Sequence, residues 1–506
     1  MMYSRILLGL GVSALALPAL ADVTPSDVWT LQQKVFVDSG LDIAVGSQSN
    51  TARALTLNDV TVGSTFDDDL GGSFTFSAAL DQIVYSANGD GTVSVALPET
   101  IVATFSGDGP DGEGSGTFRV DLTDRVAVVA GDPDDFTATW SIGMMRGTLG
   151  DVMADGEDLD VNASFVMSGG SGTNRLIDGE FVRQISNTLA QSLSFAVDAT
   201  APPSEPEDGA FKIAYDLENL SFQFDGVAFD GNSDVPFGQL LSEGVTLALA
   251  GTYGGMSFSA EAQENDIPVF AMDGSATSGG VDFTMDEDGL SYGGNANGVQ
   301  ATIRSQDIPL PQVDLAYETA EFALQMPLIP SDQAQEFGLR LRLGDLTVND
   351  MIWAMVDPMQ QLPRDPATLE IDISGTGELA VDLTDPDAMG PGQMPGQVDT
   401  LAINALELAI AGARLTGSGA FNMDNSGVGP FAPAPTPVGS VDMMLVGGNR
   451  LLDKLIAMGL LPEDQAMGFR MMLGLFARPG QGEDTLVSTI EVTAEGAVLA
   501  NGQRIR

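Results

Sequence analysis

GLRLRL at Gly338–Leu343 and LEIDI at Leu369–Ile373 alternate apolar and polar side chains with a period of two, as does TVSVAL at Thr92–Leu97. An extended strand sends successive side chains to opposite faces, so each run reads as a half-buried strand. Turn signals separate such runs, among them Asn88-Gly89-Asp90-Gly91 and Asp286-Glu287-Asp288-Gly289. Short alternating runs joined by Gly/Asp turns predict antiparallel sheet with one buried face. The expected fold is mainly β (α+β): an extended antiparallel sheet curled into a groove or sandwich, with short helices and a C-terminal helical hairpin.

One pattern recurs. GSGTFRVDLTD (Gly114–Asp124) is close to GTGELAVDLTD (Gly375–Asp385), and GSGAFNMDNS (Gly417–Ser426) is a looser copy. In the first copy Phe118, Val120 and Leu122 fall on one side of a strand. The recurrence fits either a sheet that grows by addition or convergence on a favourable strand start. Helices are predicted at a few places only. Thr24-Pro25-Ser26-Asp27 opens one with a capping residue and Pro in its first turn; Val28, Leu31 and Val35 form its stripe and Gly40 ends it. A stretch at Asp178–Ala190 places Phe181, Ile185 and Leu189 on one helical face, and NDMIWAMV (Asn349–Val356) reads as a short capped helix ahead of Pro358. Trp353 is its expected apolar anchor on the sheet.

Composition excludes several chemistries. The 506 residues hold no histidine and no cysteine. That removes Ser-His-Asp and Cys-His nucleophile systems, imidazole and thiolate metal sites, and disulfides. The three lysines, Lys34, Lys212 and Lys454, sit in no Ser-Lys catalytic setting. The 71 acidic residues leave paired-carboxylate chemistry open, but no spacing singles out a pair. Acidic clusters at Asp67–Asp69, Asp108–Glu113 and Asp132–Asp135 miss the EF-hand spacing and read as solvated turns. No cofactor or metal is expected, and the protein reads as non-catalytic. With 20 basic residues the net charge is −51, which repels nucleic acid and anionic headgroups at long range.

The first residues place Arg5 before an apolar run, Ile6–Leu17, and the small-residue site Ala19-Leu20-Ala21 before Asp22. This is the layout of a signal peptide, 1–21, cut after Ala21 between cleavage-site residues Ala19 and Ala21. The run is shorter than the roughly 20 residues that span a bilayer. The mature chain is expected to be exported, with no transmembrane segment. TAPPSEPEDG (Thr200–Gly209) is Pro-rich and acidic and marks the expected boundary between β-rich regions 22–200 and 210–506. MGPGQMPGQ (Met389–Gln397) and GPFAPAPTPVG (Gly429–Gly439) read as loops.

The C-terminal block Gly447–Gly480 is helical and rich in methionine. Asn449 can cap a first helix with Leu451, Leu452, Leu455 and Ile456 on one face, ended by Gly459. Pro462 opens a second, with Glu463 and Asp464 at its positive end. Ala466, Phe469, Leu473 and Phe476 make one stripe of it; Met467, Met471 and Leu475 make another. Such a hairpin, 449–478, needs two surfaces to bury against. Either both stripes meet sheet and helix as core, or the hairpin lines the end of an apolar groove where flexible Met side chains suit acyl chains. On the second reading Trp353, Met467, Met471 and Leu475 are the candidate ligand-binding residues.

Three stretches carry a family resemblance: VWTLQQ near the N-terminus, MIWAMVDPMQQLPRDPATLEIDISG from Met351, and the tail from VGGNRLLDKLIAMGLLPEDQAMGFRMMLGLFARPG to EVTAEGAVLANGQRI. With the export signal they resemble a family of exported alphaproteobacterial proteins catalogued as domain of unknown function 2125. The likeness covers the mature chain and is strongest from about Leu339 onward. It implies a Gram-negative periplasmic location and supplies no catalytic residues. The ending Glu495–Gln503 is also similar to endings of AsmA-like periplasmic β-rich proteins, some of them associated with lipid traffic; this chain departs from that pattern in losing its N-terminal anchor. The expectation is a periplasmic protein that binds an apolar ligand such as lipid. The alternative is a structural or interaction protein of the envelope, without a ligand cavity and with an envelope protein as partner.

Overall fold

The computed structural model describes residues 22–67, 72–109, 112–200, 209–227, 235–265, 267–331, 333–385, 387–390, 394–427, 431 and 434–506. The expected signal peptide, with Ala19 and Ala21, lies outside the described residues, as do Asp68 and Asp69 of the first acidic cluster and parts of the predicted loops.

Helix α1 (Pro25–Asp38) precedes strands β1 (Asp42–Asn50), β2 (Ala54–Asp67), β3 (Ser73–Ala87), β4 (Val93–Ala96), β5 (Thr100–Gly109), β6 (Gly112–Thr123), β7 (Val126–Asp132), β8 (Asp135–Ala154), β9 (Glu157–Asp158), β10 (Asp160–Ile177), β11 (Arg183–Thr200) and β12 (Gly209–Val227). Then come α2 (Phe237–Ser242), β13 (Leu247–Tyr253), β14 (Gly255–Glu264), β15 (Ile267–Ala276), β16 (Ser278–Asp286), β17 (Gly289–Ser305), β18 (Val313–Met326), β19 (Gln335–Val348) and α3 (Asp350–Val356). The chain ends with β20 (Ala367–Leu379), β21 (Gly396–Ile410), β22 (Ala413–Asp424), β23 (Thr436–Val446), α4 (Gly448–Ala457), α5 (Glu463–Phe476), β24 (Arg478–Pro479), β25 (Thr485–Val492), β26 (Val498–Ala500) and β27 (Gln503–Arg504).

All the strands join one antiparallel sheet, and it is a meander from end to end. Each row pairs with the row before it in the chain. Strands β4 and β5 lie end to end along β3, and β6 and β7 lie end to end along β8. The pairs β13/β14 and β15/β16 repeat that arrangement between β12 and β17. The strands flanking the Pro-rich segment, β11 and β12, pair along their length, from Arg183 with Val227 to Thr200 with Ala210. The sheet therefore continues past 201–208.

A line of irregular residues crosses this sheet. Asp59, Asp124, Asn219 and Asp345 have φ between +50° and +56°, and Gly169 and Gly298 have +61° and +59°. A left-handed residue costs ordinary side chains about 1–2 kcal/mol, which is why Asp, Asn and Gly occupy these points. On intervening strands their neighbours are often small: a Cβ on Gly46 would stand 2.8 Å from Asp59 Cβ, and one on Gly254 would stand 3.1 Å from Asn219 Cβ. At this seam the alternation slips by one residue. Leu55 and Leu57 give way to Val60 and Val62, and Tyr215 and Leu217 to Leu220 and Phe222. Because the left-handed residue resets the alternation, the slip keeps the apolar side chains on one face. The cleft under α1 is accordingly lined by Val60, Val62 and Leu80 from one side of the seam and by Ile83 and Tyr85 from the other.

The opposite face is polar and cross-strand paired. Arg175 meets Asp135 at 2.6 Å, Arg183 meets Asp225 at 2.7 Å and Lys212 meets Asp198 at 2.7 Å. Exposed pairs contribute at most about 1 kcal/mol each, so they favour the register more than they hold the fold.

Three sequence expectations are corrected. Asp178–Ala190 forms no helix: β11 begins at Arg183 and pairs on both sides. Ile185 and Leu189 are four apart, a spacing that puts residues on one face of a strand as well as a helix, and the two neighbouring strands decide. The repeat copy at Gly375–Asp385 leaves the sheet at Leu379, whereas Gly114–Thr123 and most of Gly417–Ser426 are strand. Asn449 does not cap the first helix of the hairpin. The N-cap is Gly447 in a left-handed conformation (φ +78°), which no side chain satisfies locally.

Candidate apolar-ligand site

Cross-strand partners carry the apolar face over the whole sheet. One row runs Ile101, Val120, Gly147, Phe165, Phe195, Tyr215, Phe258, Gly274, Ala301, Leu315 and Val348. Another runs Leu343, Leu369, Leu408, Leu415, Leu445 and Leu486. On this face aromatic rings lie over glycines of the neighbouring strand. A Cβ on Gly147 would stand 2.2 Å from Phe165 Cε1, one on Gly274 2.2 Å from Phe258 Cζ, and one on Gly375 2.5 Å from Phe337 Cζ. Glycine thus lets each ring lie low on the sheet. Rings also meet each other, Phe118 with Phe165 at 5.9 Å and Tyr292 with Phe322 at 5.8 Å between centroids.

Helix α1 covers the first end of this face. Its capping box closes between Thr24 and Asp27, and Val28, Trp29 and Leu31 are buried. Trp29 packs 6.2 Å from the ring of Tyr85, whose hydroxyl donates to Gln32 Oε1 at 2.8 Å. Burial pushes the Tyr85 hydroxyl pKa well above the usual range. Beneath the helix lies an apolar cleft of about 480 Å³, lined among others by Phe36, Val62, Leu97, Val129 and Trp140, with Asn174 and Gln184 as polar points.

The hairpin α4–α5 covers the other end. Strands β21 to β23 supply Leu408, Ile410, Ala413, Leu415 and Leu445, and the helices supply Leu451, Leu452, Leu455, Phe469, Met472, Leu473 and Phe476, around a cleft of about 600 Å³. Both clefts fall in the range of roughly 300–1,000 Å³ typical of ligand sites. Asp484, just ahead of β25, ties the hairpin down. Its carboxylate accepts from the backbone N–H groups of Asn449 at 3.2 Å and Arg450 at 2.8 Å, and from the Asn449 amide at 2.9 Å. Burial works against that charge, yet these donors hold the carboxyl below the usual carboxylate range. A distant aspartate thus supplies the helix cap expected from Asn449.

Between the caps the face is open. Phe195, Tyr215, Phe222, Tyr292 and Phe322 are 37–45% exposed, and Val281 is 56% exposed. Short helix α2 packs on β16 with Leu240 and Leu241 buried.

The expected site residues separate. Met467, Met471 and Leu475 lie on α5 with exposures of 66%, 72% and 58%, turned away from the cleft. Trp353 is half-buried on α3, whose N-terminus is capped by Asn349, and carries the Arg364 guanidinium 6.0 Å from its ring centre. It lines neither cleft. The Phe469, Leu473, Phe476 stripe of the hairpin does line one, and so does Met472. The sheet rows were missed in the sequence because each alternating run breaks at the seam. The Asp, Asn and Gly residues recurring one per long strand were the available signal.

Residues 245–503, just over half the chain, match the model of a family described as an uncharacterized protein conserved in bacteria (DUF2125). The match covers the sheet from β13 to β26 together with α3 and the hairpin. No curated protein matches the chain.

Proposed function

The chain belongs to the DUF2125 family, whose description gives no activity, and from its geometry we propose that it binds an apolar ligand, the acyl chains of a lipid, along the open face of its sheet. The proposed setting is the periplasm of a Gram-negative envelope, following from the expected leader. The observation that supports the reading most is the uncovered apolar face with aromatic rings lying flat on it, closed at each end by an apolar cleft. Soluble proteins rarely leave contiguous apolar patches beyond a few hundred Å² bare, because water contact with them is unfavourable. Extended apolar chains suit such a face, since they need shape and length rather than specific polar partners.

The test is to produce the chain with its leader in a Gram-negative host, purify it without detergent, and analyse its organic extract by mass spectrometry. Near-stoichiometric phospholipid or fatty acid is expected. A lipid-free protein that also takes up no fatty acid would reject the reading.

A further inference from the structure

We propose that the α4–α5 hairpin is the element by which this protein docks on a lipid bilayer, presenting the outer stripe of α5 to the membrane while its inner stripe walls the adjoining cleft. The inference rests on the reading of the sheet face as a lipid site. Helix α5 is apolar on two sides; one faces the cleft, with Phe469, Met472 and Phe476 still 36–52% exposed, and the other does not. Phe469, Met472, Leu473 and Phe476 line the cleft. Met467, Met471 and Leu475 are 58–72% exposed, as is Leu460 in the connection at 52%, and none of the four lines the cleft.

Charge singles out the same element. The chain has 20 basic and 71 acidic residues, yet Gly447–Gly480 holds four basic (Arg450, Lys454, Arg470, Arg478) against three acidic (Asp453, Glu463, Asp464). With Glu483 and Asp484, which pair with Arg450, the hairpin carries four basic and five acidic residues and is close to neutral on a strongly negative protein. Most of the surface is repelled by anionic headgroups, so approach to a bilayer would be led by a patch like this one.

Size favours a bilayer over a protein partner. Helix α5 has 14 residues, so its bare stripe measures about 21 Å by 10 Å. That is roughly 200 Å², well short of the ~800 Å² per partner that a stable protein interface buries. A bilayer needs no complementary surface, and short apolar side chains can enter its headgroup boundary by about 5–10 Å. Unbranched Met side chains adapt to an irregular acyl environment. Because the cleft lies on the other side of the same helix, an acyl chain leaving the bilayer would have only α5 to pass.

The experiment is flotation of the purified chain with vesicles of phosphatidylethanolamine and phosphatidylglycerol, for the wild type and for the double variant Met467→Asp, Met471→Asp. Both positions are exposed, so the variant should fold; circular dichroism and bound-lipid mass spectrometry confirm that it does. A milder variant, Met471→Gln, guards against misfolding. The wild type should float, more strongly as salt screens repulsion from its acidic body, and the double variant should float at least tenfold less while keeping its bound lipid. Flotation equal in wild type and variants overturns the proposal. So does a wild type that retains lipid but stays off vesicles at every salt concentration, an outcome that leaves the sheet-face reading intact. Self-association through the hairpin without vesicle binding also overturns it. Loss of both lipid retention and flotation in the wild type removes the sheet-face reading and the docking proposal together.

Discussion

Gly147 lies buried beneath the ring of Phe165 at the start of the open face, and Gly147→Ala tests whether the glycines set the height of that face. The added Cβ would stand 2.2 Å from Phe165 Cε1 and 2.7 Å from Phe118 Cζ. Separations below 3 Å force a neighbour to move, and here both neighbours are rings. Lifting Phe165 breaks its 5.9 Å stacking with Phe118, a loss of about 0.5–1.5 kcal/mol. Forcing an extra methyl into a filled site adds about 1–3 kcal/mol. Against this, Ala in a strand gains about 0.5–1 kcal/mol over Gly. The net expectation is a destabilisation of about 2 kcal/mol. In a background carrying both Phe165→Ala and Phe118→Ala the two obstacles are gone, and the same substitution should be neutral or slightly stabilising. The assay is a double-mutant cycle by urea unfolding, read from the fluorescence of the three tryptophans and checked by hydrogen exchange of β8 and β10. A coupling of about 2 kcal/mol is expected. The reasoning would be refuted by an equal effect of Gly147→Ala in both backgrounds, since the rings would then not be what fills the space.

Asp484→Ala should leave the first N–H groups of α4 without their acceptor and destabilise the hairpin by about 1–3 kcal/mol, seen as faster exchange of α4 amides with little change in β1–β8. Because the native carboxyl is held low, its contribution is present above the unfolded value near 4 and is lost as pH falls through the depressed native value, so wild-type and variant hairpins should converge only in strong acid. Trp29→Ala should cost about 3–5 kcal/mol by emptying the space between α1 and Tyr85, lowering the urea midpoint while the hairpin exchanges as before. Asn219→Gly should be nearly neutral, whereas Asn219→Val should cost about 1–2 kcal/mol by placing a β-branched residue at φ +51°; urea midpoints for the pair distinguish them.

Much of the architecture was legible because local chemistry and long-range pairing agree. Thr24-Pro25-Ser26-Asp27 writes its own capping box, and Gly338–Leu343 and Leu369–Ile373 alternate without interruption in paired strands. What stayed hidden depends on partners distant in sequence. Ile185 and Leu189 satisfy both periodicities, and only β10 and β12 select the strand. Asn449 looks like a cap until Asp484, 35 residues away, takes that role. Met467, Met471 and Leu475 and the stripe of Phe469, Leu473 and Phe476 are equally apolar, so composition could not tell which one would face the cleft. The open face itself was invisible as a unit, because the left-handed residue at Asp59, Asn219 or Asp345 resets the alternation that would have displayed it.

The most direct measurement of the central claim is photo-crosslinking of a diazirine-bearing fatty acid to the purified protein, with the attachment sites read by tandem mass spectrometry. Adducts are expected on the apolar rows, at residues such as Phe165, Phe195, Tyr215 and Phe258 and in the two terminal clefts. Adducts confined to the polar face, or spread equally over both faces, would contradict that claim.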